Sequence, residues 1–219
     1  MNETKLVVFD LDGTLLNTIG DLSAAMNHTL REHAYPEHSE AECQTMVGHG
    51  IRNFMKAALP AELQGDDALV DGCLAEFKAY YADHIAEKTL PYPGIPELLR
   101  ELQSNGIAIA VASNKFQSGA EKLLGLLFPD IKFAAIIGNR EDLPLKPDPR
   151  VVSMVCDSTG IPVSATVMVG DSSTDMKTAR NAGVRGIAVS WGFRPKSALT
   201  DADVIVDCVA ELRRSLFLS

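Results

Sequence analysis

The sequence is poor in several features that mark whole classes of protein. It has no apolar stretch of about 18 residues, the length a membrane-spanning helix needs, and a strand-like pattern begins within a few residues of Met1. Neither a membrane span nor a secretory leader is therefore expected. The four cysteines, Cys43, Cys73, Cys156 and Cys208, are far apart, which suits buried reduced thiols and argues against a zinc cluster or a compact disulfide framework. Positive charge is also scarce. Twenty Lys and Arg against 29 Asp and Glu leave a formal net charge of -9, with no basic run interleaved with aromatics. Such a surface repels a phosphate backbone, so nucleic acid is not an expected partner. These absences describe a cytoplasmic protein with no membrane partner. What is present is a hydrophobic content of 46% over 219 residues, enough for one substantial core or a core with a small second domain.

Two textures divide the chain. From about Pro91 onward the strand-like runs "IAIAVASN", "FAAIIGN", "TVMVGD", "GIAVSW" and "DVIV" alternate with segments of helical spacing, the pattern of a parallel sheet wrapped by helices. Pro96 suits the first turn of one such helix, and Gly106 its end. The run from Lys5 to Phe9 belongs to the same set. Between it and Pro91 no strand run appears. Leu22, Met26 and Leu30 recur at helical spacing, Ser39 and Glu42 form a capping-box pattern, and "IRNFMKAAL" and "DALVDGCLAEFKAYYADHI" read as further helices. A crossover between parallel strands needs only a dozen or more residues, so this insertion is longer than the connection requires. The expected organisation is an α/β core of residues 1–16 and 85–219 with a helical cap of residues 17–84.

The strand ends carry the polar chemistry. "KLVVFDLDGT" leaves its strand on Asp10, and Asp12, two residues on, faces the same side about 6 to 7 Å away at roughly 3.3 Å per residue. Two acids so close call for a cation. "IAIAVAS" ends on Ser113, whose hydroxyl, with the backbone N–H groups of Asn114 and Lys115, could hold phosphate oxygens. "LPLKPDP" presents Lys146 between prolines that stiffen its loop. In "TVMVGDSSTD", Asp171 ends a strand and Asp175 lies one helical turn later. Capping accounts for one of those acids and leaves the other unused. Four carboxylates at strand ends form an oxygen-rich site suited to magnesium rather than to softer metals, at the edge where doubly wound sheets bind ligands.

These motifs, in this order and over nearly the whole chain, resemble those of the haloacid dehalogenase superfamily: Asp10, Asp12 and Thr14 in the first, Ser113 in the second, Lys146 in the third, and Gly170, Asp171 and Asp175 in the fourth. The resemblance implies a Rossmann-like core with a helical cap inserted after the first motif. It also implies roles. Asp10 is the expected nucleophile toward phosphorus, and Asp12 the acid that protonates the leaving oxygen and then the base that activates water. Ser113 and Lys146 are the expected holders of the phosphoryl oxygens. Magnesium is expected on the Asp10 carboxylate, the Asp12 backbone carbonyl and Asp171, with Asp175 supporting it through water.

Asp12 sets the chain apart from family dehalogenases and phosphonate-cleaving members, which lack an acid at that place. Phosphatases and sugar-phosphate mutases remain. The cap stretch "MVGHGIRNFMKAAL" resembles the cap signature of phosphoglycolate phosphatases, as do "SNK" and "SWGFR". That resemblance makes 2-phosphoglycolate the expected substrate. Gly48 and Gly50 would let backbone N–H groups approach it, His49 or Arg52 would meet its carboxylate, and Asn114 would assist from the core. Asn17 and Thr18 stand where the family commonly has Asp-Ser. The alternatives within the family are mutase-like transfer, pyrophosphate hydrolysis and broad sugar-phosphate or nucleotide hydrolysis; outside it, a phospho-accepting signalling domain. The partner is a small phosphorylated metabolite, and the oligomeric state is left open between monomer and homodimer.

Overall fold

A computed structural model describes residues 3–217. The elements in chain order are β1 (Leu6–Phe9), β2 (Leu16–Asn17), α1 (Ile19–Glu32), α2 (Glu40–Met46), α3 (Ile51–Ala58), α4 (Asp67–His84), β3 (Leu90–Pro91), α5 (Ile95–Ser104), β4 (Ala108–Phe116), α6 (Gln117–Leu127), β5 (Phe133–Asn139), α7 (Arg150–Thr159), β6 (Thr166–Gly170), α8 (Ser173–Ala182), β7 (Arg185–Val189), β8 (Val204–Val206) and α9 (Val209–Phe217). Six strands form one parallel sheet in the order β5-β4-β1-β6-β7-β8. Among the described residues, no helix is long and apolar enough to cross a membrane.

Because successive side chains alternate across a strand, the sheet supplies two apolar faces from single runs. Val7, Phe9, Ile109, Val111, Val167 and Val169 point to one face, against Leu98 and Leu102 of α5, Leu123 of α6 and Leu212 of α9. Leu6, Val8, Ala110 and Met168 point to the other, against Val152 and Val155 of α7 and Ala179 of α8. Both faces are covered, which is why the strands read as nearly continuous apolar runs rather than as alternating ones.

The sheet is wound outward from β1 in both directions. After the helical excursion the chain goes to β4 and β5 on one side of β1, then returns to its other side for β6, β7 and β8. The reversal lies at β1, so the carboxyl ends of β1, β4 and β6 open onto one crevice, where such folds bind ligands.

Between β2 and β3 the regular elements are helical. The capping box expected at Ser39 is formed: its hydroxyl accepts from Glu42 N–H and the Glu42 carboxylate accepts from Ser39 N–H. β2 and β3 pair antiparallel, Leu16 with Pro91 and Asn17 with Leu90, so both crossings between sheet and helices lie side by side. Asp21 braces this ribbon: its buried carboxylate accepts from the N–H of Lys88, and from Thr89 through N–H at 2.8 Å and the hydroxyl at 2.7 Å. The apolar cluster on this side of the sheet is continuous with Met26, Phe54, Phe77 and Tyr81 of the helical segment.

One element differs from expectation. β4 does not end at Ser113 but runs to Phe116, with its register against β5 shifting between Ala112 and Phe116. Ser113 therefore sits in an irregular strand end, and α6 starts after Phe116.

Candidate active site

Asp10 follows β1 directly, and its N–H donates to Val169 O on β6 at 2.8 Å, which fixes it between the two strands. The chain then turns at Gly13, whose φ of +84° is in the left-handed region. A side chain there would also strike Asp171, with a Cβ only 2.8 Å from its Cγ. Glycine thus lets the first-strand loop close over the fourth motif. Asp171 follows β6; it accepts from Phe193 N–H at 2.7 Å and from the Thr14 hydroxyl at 3.3 Å. Asp175 is the N3 residue of a capping box on α8, its Oδ2 accepting from Ser172 N–H and hydroxyl. Capping uses that oxygen alone: Oδ1 lies 2.7 Å from Lys146 Nζ.

Carboxylate oxygens of Asp10, Asp171 and Asp175 lie within 4.8 Å of one another, all three residues buried. Lys146, with 3% of its side chain exposed, is the positive charge set directly against them, 2.8 Å from Asp10 Oδ1 and 2.7 Å from Asp175 Oδ1. Burial, reinforced by Asp175, outweighs Lys146 and pushes the Asp10 carboxyl up to about 6. Burial together with Asp175 and Asp10 pushes Asp171 up to about 8. Burial acts to lower the Lys146 ammonium, but Asp10 and Asp175 prevail and hold it above the ordinary lysine range. Asp10 Oδ1, despite its proximity to Lys146, accepts no well-aligned hydrogen bond. A buried carboxylate oxygen met only by the Lys146 ammonium, within a cluster holding more negative than positive charge, fits a hard divalent cation with oxygen ligands.

The Asp12 carboxylate is held apart from this cluster. It accepts from the Thr18 hydroxyl at 2.7 Å and from Lys115 Nζ at 3.1 Å. Lys115 has 1% of its side chain exposed and also donates to the Tyr81 hydroxyl of α4 at 2.8 Å. Burial opposes the Lys115 charge, yet Asp12 and Tyr81 hold the ammonium above its usual range, while burial pushes the Tyr81 phenol up to about 12. Thr18, in the pair that departs from the family pattern, is thus a direct partner of Asp12.

The remaining expected residues divide. Ser113 lines the cavity, and its hydroxyl accepts from Lys115 N–H at 3.2 Å. Asn114 lines it too, but its amide is engaged: Oδ1 accepts from Lys146 N–H at 2.9 Å and Nδ2 donates to Gly48 O at 3.0 Å. Gly48 and Gly50 line the cavity; His49 is exposed and, with Arg52, is not among the lining residues. Arg52, whose side chain is 41% exposed, is turned to Asp67 and Asp71, both at 2.7 Å, at the start of α4. Two cations not expected in the site line it instead: the Lys115 ammonium and Arg194. The sequence signalled the second of these more clearly than the first. Lys115 is two residues from Ser113 on the same strand, and Arg194 follows the end of β7 at the same sheet edge. The cavity, about 620 Å³ with its mouth, is of a size for a small metabolite.

Comparison with known proteins agrees with this geometry. A family model described as haloacid dehalogenase-like hydrolase matches residues 7–189. A phosphoglycolate phosphatase of Mesorhizobium japonicum is 34% identical over 94% of this chain and 95% of its own length. One from Rhodospirillum rubrum is 36% identical over 95% and 89%. A crystal structure from Lactobacillus delbrueckii subsp. bulgaricus, provisionally described as a phosphoglycolate phosphatase, superposes with a TM-score of 0.91 at 30% identity, covering 100% of both chains. With the acids, the lysine and the sheet edge all in place, the chain belongs to the haloacid dehalogenase-like hydrolases, among their phosphatases.

Proposed function

We propose that the protein is a magnesium-dependent phosphatase that hydrolyses 2-phosphoglycolate through an aspartyl-phosphate on Asp10. The observation that carries this reading is the separation of two kinds of acid: Asp10, Asp171 and Asp175 converge beside Lys146, while Asp12 is held apart by Thr18 and Lys115. One group is suited to metal and nucleophile, the other to moving protons. Curated relatives at 34–36% identity over most of both chains support the substrate.

In this reading Asp10 attacks phosphorus and the P–O bond to the glycolate oxygen breaks, with Asp12 giving that oxygen its proton. Asp12, now a carboxylate, takes a proton from water as the water attacks the phosphoenzyme, which returns Asp10 and releases phosphate. Ser113 and Lys146 hold the phosphoryl oxygens throughout. Asp10, the Asp12 carbonyl and Asp171, supported by Asp175, would hold magnesium, which would supply the positive charge that a dianionic ester needs to approach a carboxylate. Residues 17–84 act as the cap, closing over the site to exclude water from the first step.

The test is magnesium-dependent phosphate release, with kcat/KM for 2-phosphoglycolate, pyrophosphate, β-glucose 1-phosphate, nucleotides and sugar phosphates. Preference for phosphoglycolate is expected. A flat profile, or preference for another member, retires the substrate and leaves the core chemistry.

A further inference from the structure

The three cations lining the cavity differ in what holds them. Lys146 is committed to Asp10 and Asp175, and Lys115 to Asp12. Arg194 has no carboxylate within ion-pair distance among the described residues. Its bonds go to neutral acceptors on the helical segment: Nη1 donates to Gln44 O at 2.6 Å, and Nη2 to Val47 O. Those bonds use one hydrogen on each terminal nitrogen, and a guanidinium has five in a flat fork. Three remain to meet a ligand.

Its position is fixed from both sides. Phe193, the preceding residue, donates its N–H to Asp171 Oδ2 at 2.7 Å and accepts at its carbonyl from Gln44 Nε2 at 3.0 Å. The backbone carrying Arg194 is thereby tied to the carboxylate cluster on one side and to α2 on the other. A half-buried guanidinium, oriented by carbonyls and unpaired with any acid among the described residues, lines the same cavity as Asp10, Asp171 and Asp175. The cation expected to read a substrate carboxylate, Arg52, is neutralised by Asp67 and Asp71.

We propose that Arg194 is a specificity-determining residue that pairs with a second anionic group on the substrate, the carboxylate when the substrate is phosphoglycolate. This rests on the phosphatase reading above. A planar fork matches a carboxylate bidentately, and an ester with a hydroxymethyl group in that place forfeits the charge-assisted bonds.

The experiment uses the full-length protein with magnesium and two substrate pairs: 2-phosphoglycolate against 2-hydroxyethyl phosphate, and a sugar bisphosphate against its monophosphate. For each pair the ratio of kcat/KM is measured in the wild type, R194Q and R194K. The wild type is expected to prefer phosphoglycolate to its neutral partner. R194Q should shrink that preference by about 30-fold, chiefly through KM, and R194K, which keeps the charge without the fork, should shrink it by about 5-fold. Equal losses on both members of the pair would make Arg194 a structural brace and overturn the inference. If R194Q does not fold, an unchanged ratio in R194K has the same effect. A wild type that prefers only the bisphosphate, with that preference erased in R194Q, would sink phosphoglycolate as substrate and keep Arg194 as selector. A wild type that favours neither doubly anionic ester overturns both.

Discussion

The two walls of the site are made of different material. On the sheet side the lining groups are charged side chains of strand ends and one loop: Asp10, Asp12, Lys115 and Asp171, with Lys146 from the loop after β5. On the helical side the lining is apolar or main chain, with Leu22, Val47, Ile51 and Phe54 beside Gly48 and Gly50. One wall is equipped for reaction and the other for enclosure. The difference predicts that damage to the first wall falls on the rate of chemistry and on the electrostatics of the fold, whereas damage to the second is graded and depends on the substrate.

The sharpest break is D10N. If Asp10 is the nucleophile proposed above, D10N should lower magnesium-dependent phosphate release by about 10⁴-fold or more, with the unfolding midpoint nearly kept. Substantial turnover in D10N would remove Asp10 from the nucleophile's role. Next is K146M, which leaves the buried carboxylate cluster without its lysine. Breaking such a buried pairing costs about 3–5 kcal/mol, read by urea unfolding of the metal-free protein, and a divalent cation should restore part of it. A metal-independent deficit below about 1 kcal/mol would contradict the charge accounting of the site.

The same wall should respond to pH when metal is chelated. Asp10 and Asp171 have folded-state values raised from 3.8 to about 6 and about 8. The folded chain therefore holds protons that the unfolded chain has released. Their contribution to stability is present below about pH 4 and is lost as pH rises through 6 for Asp10 and through 8 for Asp171. The Tm of the metal-free protein should fall across that window, and the gain in Tm on adding magnesium should be larger at pH 8 than at pH 5. A gain that shrinks with rising pH would place the cation elsewhere.

Smaller effects belong to helical-segment residues set behind the second wall. Y81F removes the phenol bonded to Lys115 and should cost about 1–2 kcal/mol, with kcat falling more than KM rises, because Lys115 steadies Asp12. An increase in KM alone would make the contact one of enclosure only. R52A should shift kcat/KM for phosphoglycolate by less than about 3-fold, since its guanidinium faces Asp67 and Asp71. A loss beyond about 10-fold would return Arg52 to the site.

The fold and the convergence of the strand-end acids were legible because each depends on local pattern. Strand runs end in acids, and a ligand site at the carboxyl edge follows from parallel winding alone. The Asp175 pairing was legible only in part: the sequence shows a carboxylate with two possible duties, and the structure gives one oxygen to each. The Lys115 ammonium was hidden because its reach to Asp12 requires β4 to continue past Ser113 through a register shift that no periodicity announces. Arg52 misled for the opposite reason. Its neutralising partners lie 15 and 19 residues away, across the α3–α4 packing, and only tertiary structure pairs them.

Beside the shared apolar cluster, the core holds the helical segment at several of its peptide groups. Asn114 binds the carbonyl of Gly48, and Arg194 those of Gln44 and Val47. A carbonyl is the same whatever side chain it precedes, so these bonds follow the path of the chain rather than the side chains of Gly48 and Val47, while Gln44 adds a bond of its own amide to Phe193 O. Side chains facing the enclosure are thereby released to drift, one substitution at a time, without loosening the closure. A lineage built this way can vary the apolar lining while these main-chain bonds and the charged wall stay in place.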